Sequence, residues 1–153
     1  MSPLETAVEK TFKPLAEEIG CKWTKTDDRF EKFLEIKGRT VNVRVYWYFE
    51  RDEGIFVTLV QPIGNSNTAI EVPLSRLVRY KTGQEDGPDI RLARATDPNE
   101  LMRVVRTYAV PYLIADGTDI RAVADWARQR VLQQHPEYAK LKTNKWMRCE
   151  WID

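Results

Sequence analysis

The stretch Val41-Asn42-Val43-Arg44-Val45-Tyr46-Trp47-Tyr48-Phe49, answered across a turn by Ile55-Phe56-Val57-Thr58-Leu59-Val60, decides the fold of this chain. At the two-residue period of a β-strand its odd positions are all apolar, while the even ones carry Arg44, Tyr46, Tyr48, Phe56 and Val60. A sheet with one face in water normally alternates apolar and polar residues, so a second face this rich in rings calls for a cover. Two covers meet that need: the chain's own helices in a three-layer arrangement, or another molecule. Keeping Ile55, Val57 and Leu59 on the side of Phe49, Trp47 and Val45 requires a turn with an odd number of residues. Gly54 suits the left-handed position of a three-residue loop with a bulge. That register sets Tyr48 opposite Phe56, Tyr46 opposite Thr58 and Arg44 opposite Val60.

Outward from this hairpin the chain reads as alternating punctuation and periodic segments. Ser2-Pro3-Leu4-Glu5 is a capping box with proline in the first turn, and Leu4, Val8, Phe12, Leu15 and Ile19 repeat at helical spacing until Gly20. Pro14 lies inside this run and predicts either a bend or two segments meeting near Phe12. Residues 21–24 and 30–37 read as strands, the second reversing at Gly38-Arg39 into 40–49. Residues 61–67 read as a loop, 68–72 as a further strand, and Pro73 opens a short helix bearing Leu74, Leu77 and Val78. The irregular stretch 81–96 has room for one edge strand. Asp97-Pro98-Asn99-Glu100 caps a helix with Leu101, Val104, Val105, Tyr108 and Tyr112 inward, kinked at Pro111 and closed at Gly117. Thr118 or Asp119 caps another with Ile120, Val123, Ala124, Ala127 and Val131 inward, ending before Pro136. The tail reads two ways: Leu141 extends a helix, or 145–152 alternate weakly as a strand. The fold expected is α+β, an antiparallel meander of four to five strands preceded by an N-terminal helix and followed by two to three helices. It forms a single domain over 1–153, with 138–153 as a C-terminal tail.

With 153 residues, 42% of them apolar, one core is expected to bury roughly two thirds of the unfolded surface. Twenty-four basic and 23 acidic side chains leave a formal charge of +1, which argues against the single-sign field of a dedicated nucleic-acid or membrane-surface binder. Cys21 and Cys149 are too few for a disulfide framework or a closed zinc site, and no apolar run reaches the roughly 20 residues of a membrane span. A cytoplasmic protein is therefore expected, with a Cys21–Cys149 bridge as the minority alternative.

Catalytic groups are sparse. His135, the single histidine, directly precedes Pro136 at a helix end, where a local capping role is the simpler account. Neither cysteine lies in a nucleophile motif, and the seven glycines form no phosphate-cradling run. Glu85-Asp86-Gly87-Pro88-Asp89 lacks the alternating ligands of a calcium loop, and Asp27-Asp28 and Asp52-Glu53 suit tight turns. No cofactor, no metal and no enzymatic reaction are expected. Arg103, Arg106, Arg121, Arg128, Arg130, Lys140, Lys142, Lys145 and Arg148, interleaved with Trp146 and Trp151, make the case for single-stranded nucleic acid; ordinary solvating helix faces are the rival account. Arg44, Tyr46, Tyr48 and Phe56 are residue types enriched at protein–protein hot spots and form the candidate contact patch.

The run Phe12-Lys13-Pro14-Leu15-Ala16-Glu17-Glu18-Ile19-Gly20 leading into a meander, then Val72-Pro73-Leu74-Ser75-Arg76-Leu77-Val78, then paired helices, resembles small bacterial α+β proteins of the polymorphic-toxin immunity type. The resemblance covers about residues 4–134 and is one of spacing, without a diagnostic motif. It implies a non-enzymatic protein that blocks a toxin or effector by occlusion, often through acidic surfaces, a habit from which this near-neutral chain departs. Secretion-chaperone-like domains have a similar helix–sheet–helix outline and imply a homodimer, although the long tail is foreign to them.

Overall fold

The structure, a computed structural model, describes residues 2–64 and 68–140. Helix α1 (Pro3–Glu18) starts at Ser2, whose Oγ accepts from the Glu5 amide at 3.1 Å. It passes through Pro14 as one helix. Pro14 and Lys10, whose carbonyl loses its intrahelical partner there, are both exposed, so the lost bond faces water. Val8, Phe12, Leu15 and Ala16 form its buried side.

Five strands follow: β1 (Lys22–Asp27), β2 (Glu31–Lys37), β3 (Asn42–Phe49), β4 (Asp52–Pro62) and β5 (Ala69–Pro73). They pair antiparallel in sequence order, a simple meander. Helices α2 (Leu74–Thr82), α3 (Pro88–Leu92), α4 (Pro98–Val104), α5 (Val110–Ile114) and α6 (Arg121–Gln134) come after it, and Pro136–Lys140 form a closing 3-10 turn. The expected α+β meander is thus the observed fold. The edge strand allowed within 81–96 is instead α3: Pro88 opens a helix, where its missing N–H costs nothing, and Ile90 reaches the core. Residues 65–67 of the expected loop and the tail residues 141–153 lie outside the described residues, as does Cys149, half of the alternative bridge.

One apolar cluster joins α1 to Leu34, Ile36, Val43, Val45, Trp47, Val57, Leu59, Ile70 and Val72, and to Leu77, Leu101, Val105, Leu113, Val123 and Ala127 from the later helices. The helices therefore share the odd face of β3 and β4. A π-helical turn, Val105–Ala109, joins α4 to α5 immediately before Pro111. A proline in mid-helix cannot donate to the carbonyl one turn back, and the wider turn accommodates that break. Gln61, at the end of β4, accepts from the buried Ile120 amide at 2.8 Å and ties the start of α6 to the sheet. No described helix is long and apolar enough to cross a membrane.

The hairpin register corrects the expectation. Arg44 stands opposite Thr58, Tyr46 opposite Phe56 and Asn42 opposite Val60, two residues away from the sequence-derived pairing. The turn is the two-residue Glu50-Arg51, and Glu50, not Gly54, takes the left-handed backbone, at φ 59°. Two irregularities reconcile this short turn with the apolar pattern. Between the pairs Tyr46–Phe56 and Tyr48–Glu53, β4 carries one residue more than β3, at Gly54-Ile55. Against β2, β3 carries an extra residue at Trp47. Each bulge shifts the alternation by one residue and so exchanges faces locally.

Candidate functional site

The bulge at Trp47 redistributes the four candidate contact residues. Tyr48 leaves the second face: it packs against the main core and shares a cleft with Ser2, Pro3, Leu4 and Glu5 of the α1 start. Phe49 takes its place, its ring 5.3 Å from that of Tyr46 at an interplanar angle of 75°. Tyr46 remains on that face but is only 5% exposed, with Phe33 tilted against it at 5.0 Å. Phe56 is 44% exposed. Of the expected patch, Arg44, Tyr46 and Phe56 are brought together and Tyr48 is not.

Arg44 organises the polar part of this face. Its Nε donates to Glu35 Oε2 at 2.5 Å, and its Nη1 lies 3.3 Å from the Tyr46 hydroxyl and 3.4 Å from Glu71 Oε1. The guanidinium also lies over the Phe33 ring, 4.6 Å from its centroid. Glu35 is 4% exposed and pairs in addition with Lys37. Burial opposes ionisation of Glu35, but hydrogen bonds from Lys37 and Arg44 outweigh it and hold its carboxyl below the usual range. Burial likewise works against the Arg44 charge, yet its bonds to Glu35 and Tyr46 raise its affinity for the proton. Burial pushes the Tyr46 hydroxyl up to about 12, so it stays protonated at neutral pH. The network has the character of a paired structural ion cluster rather than a free cationic contact.

Beside it lies a cleft of about 660 Å³. Tyr46, Phe49 and Phe56 supply its rings, Asp52, Glu53 and Glu71 its carboxylates, and Ser75 and Arg94 close the far side from α2 and the α3–α4 link. Gly54 belongs to the same wall: a Cβ there would come within 3.2 Å of the Phe56 ring, so glycine leaves room for the aromatic to approach the bulge closely. The mixture of rings with a few polar groups suits binding of a partly apolar ligand.

A second cavity, of about 230 Å³, is lined by Arg76, Arg79, Arg94 and Arg130 with Glu85, Ala127, Val131 and Gln134. Arg76 is 4% exposed. Glu85 pairs with Arg130, and its backbone carbonyl accepts from Arg79 Nε at 3.1 Å. Burial, followed by repulsion from Arg79 and Arg76, lowers the affinity of Arg130 for its proton. Sequence reasoning missed this cluster. Only Arg76 and Arg79, three apart on α2, carried a local signal; Arg94 and Arg130 arrive through tertiary folding.

The basic C-terminal stripe expected for nucleic acid is divided. Arg106 pairs with Glu18, Arg121 with Asp119 and Arg130 with Glu85. The side chain of Lys140, and Lys142, Lys145, Trp146, Arg148 and Trp151, lie outside the described residues. His135 is exposed at the end of α6, stacked on Tyr138 with centroids 4.9 Å apart and 3.3 Å from Glu137 Oε1, a local arrangement that lines neither cavity. Among the described residues no three His, Cys, Asp or Glu side chains gather as metal ligands. Compared with protein-family models, with curated proteins and with solved structures, the chain has no match in any of the three. The immunity-type resemblance accordingly rests on the spacing of elements alone.

Proposed function

We propose that this is a non-enzymatic protein-binding domain, of the immunity or inhibitor kind, that engages a toxin or effector through the cleft beside Phe56. The observation that carries the reading is a phenylalanine ring 44% exposed at a bulged strand, at the mouth of a cleft with further rings and three carboxylates. A single exposed ring is ordinary on a protein surface, whereas several rings gathered in one cleft are what protein interfaces concentrate. Asp52 and Glu53 favour a partner whose apolar anchor is flanked by cations, because opposite charge steers the encounter and fixes the register. The patch is revised to Phe49, Phe56 and the carboxylate rim, with Tyr46 as its floor and Arg44 holding that floor in place.

The test is a titration of the purified chain against the product of a neighbouring toxin or effector gene, with Phe56→Ala compared with wild type. A hot-spot ring should lose 2 kcal/mol or more on truncation, about a 30-fold rise in Kd. Ile114→Ala, exposed on α5, should leave Kd unchanged. Equal affinity of the wild type and Phe56→Ala, with circular dichroism showing both folded, would refute the reading. A chain that elutes as a dimer whose association is broken by Phe56→Ala would instead favour the chaperone-like alternative.

A further inference from the structure

We propose that the cleft beside Phe56 receives an extended segment of the partner as an added β-strand, paired antiparallel to the first half of β4. β4 runs from Asp52 to Pro62, but β5 pairs only with its residues 58–62. At Pro73, opposite Thr58, the chain has no amide to donate, and it turns into α2 at Leu74. Residues 52–57 therefore have β3 on one side and, among the described residues, no strand on the other. Every residue from Asp52 to Thr58 lines the cleft, with Leu74, Ala93 and Thr96 across from them. The space that a longer β5 would fill is thus the cleft itself.

The backbone of this edge defines what fits it. Ile63 donates its amide to the Thr68 carbonyl at 3.1 Å, next in the β4–β5 register. Alternate residues of an antiparallel strand bond to the same neighbour, so Leu59 and Gln61 face β5 in the same way. Val57, Ile55 and Glu53 continue that period past the end of β5. It survives the bulge because the shift falls on β3, where Trp47 and Tyr48 both pack on the core. On β4, Ile55 and Val57 are buried while Phe56 between them is exposed. Such an alternating row of amides and carbonyls is matched by another extended backbone, whose main-chain bonds give affinity and whose alternate side chains give specificity. Directly opposite residues share a face. Phe49 lies against Tyr46 on the second face, so Asp52, opposite Phe49, stands on the face of Phe56. Running antiparallel, the added strand presents residue i beside Phe56, i+2 beside Gly54 and i+4 beside Asp52. The Phe56 ring reaches over Gly54, which favours apolar residues at the first two positions, and the Asp52 carboxylate favours a cation at the last. This mode rests on the protein-binding reading of the cleft and adds how the partner is held.

The probe is the peptide Thr-Leu-Thr-Val-Thr-Arg-Thr, amidated and labelled with fluorescein at its N-terminus, titrated with the full chain and read by anisotropy. Its leucine, valine and arginine take positions i, i+2 and i+4, and their amides point away from β4. The two threonines between them carry amides that bond to it. Saturable binding is expected, weakened about ten-fold or more when those two threonines are N-methylated and nearly unchanged when the valine is. These changes are made in the peptide, so the folding of the chain is not at stake. Phe56→Ala should weaken the unmodified peptide about five-fold, the equivalent of one strong cross-strand aromatic contact. A peptide that does not bind, an equal loss with either methylation, or binding indifferent to Phe56→Ala would overturn strand addition. A dimer of the chain that the peptide dissociates would overturn it in favour of a second copy on this edge. A toxin or effector that still binds in a Phe56-dependent way would preserve the protein-binding reading while this mode falls.

Discussion

Glu35→Gln removes the charge at the centre of the ion cluster on the second sheet face while keeping the shape of the side chain. The carboxylate is 4% exposed and receives Arg44 Nε at 2.5 Å together with Lys37. Breaking a buried pair from one side typically costs 3–5 kcal/mol, because the remaining charge stays buried without its counterpart. Glu71 still lies 3.4 Å from the Arg44 guanidinium, which places the expected loss near the lower end, at about 3 kcal/mol. With a urea slope of about 2 kcal/mol/M, the unfolding midpoint should fall by about 1.5 M at neutral pH. The dependence on pH gives a second reading. Because the folded carboxyl titrates below its ordinary value of 4.5, the unfolded chain takes up the proton first as the solution is acidified. The contribution of Glu35 is thus complete above that ordinary range and disappears as pH falls through the folded value. Wild type and Glu35→Gln should differ most at neutral pH and converge in acid. A midpoint loss smaller than about 0.5 M, or two pH profiles that run parallel, would refute the assignment of this cluster as a stabilising ion network.

Other substitutions probe the architecture at points that sequence patterning does not expose. Gly38→Ala places a Cβ 2.1 Å from the Val41 carbonyl oxygen and 2.9 Å from the Leu113 Cα, both backbone atoms, so a loss of about 3 kcal/mol is expected in thermal or urea unfolding. Gln61→Leu leaves the buried Ile120 amide without its acceptor and should cost about 1–3 kcal/mol; amide exchange at the start of α6 should quicken ahead of the sheet. Phe56→Ala, by contrast, should change folding stability by less than about 1 kcal/mol, since its ring is largely outside the core, while it weakens the proposed partner.

The meander, its strand order and most of the core were legible because they depend on short-range periodicity. Val43, Val45, Trp47, Val57 and Leu59 fall on one face by alternation alone, and Leu101, Val104 and Val105 on one helix side by helical spacing. What failed was the local bookkeeping of the hairpin. A two-residue turn at Glu50-Arg51 and bulges at Trp47 and Gly54-Ile55 moved the pairing by two residues and sent Tyr48 to the α1 side. Nothing in a linear pattern signals such a bulge, because one extra residue in a strand of apolar and aromatic side chains leaves both faces looking apolar. α3 was missed for a related reason: five residues are too few to show a period.

By itself, the order of polar and apolar side chains determined the class of fold, the helix starts at Ser2 and Asp97, and the presence of an aromatic second face on the hairpin. Those features arise from neighbours within a few residues of one another. Only the tertiary structure decided which rings of that face are sealed and which meet solvent, and only it assembled the arginine cavity from residues 76, 79, 94 and 130. Burial and charge convergence depend on where distant segments pack, and the free energy that places them is spread over the whole core rather than written into any local stretch.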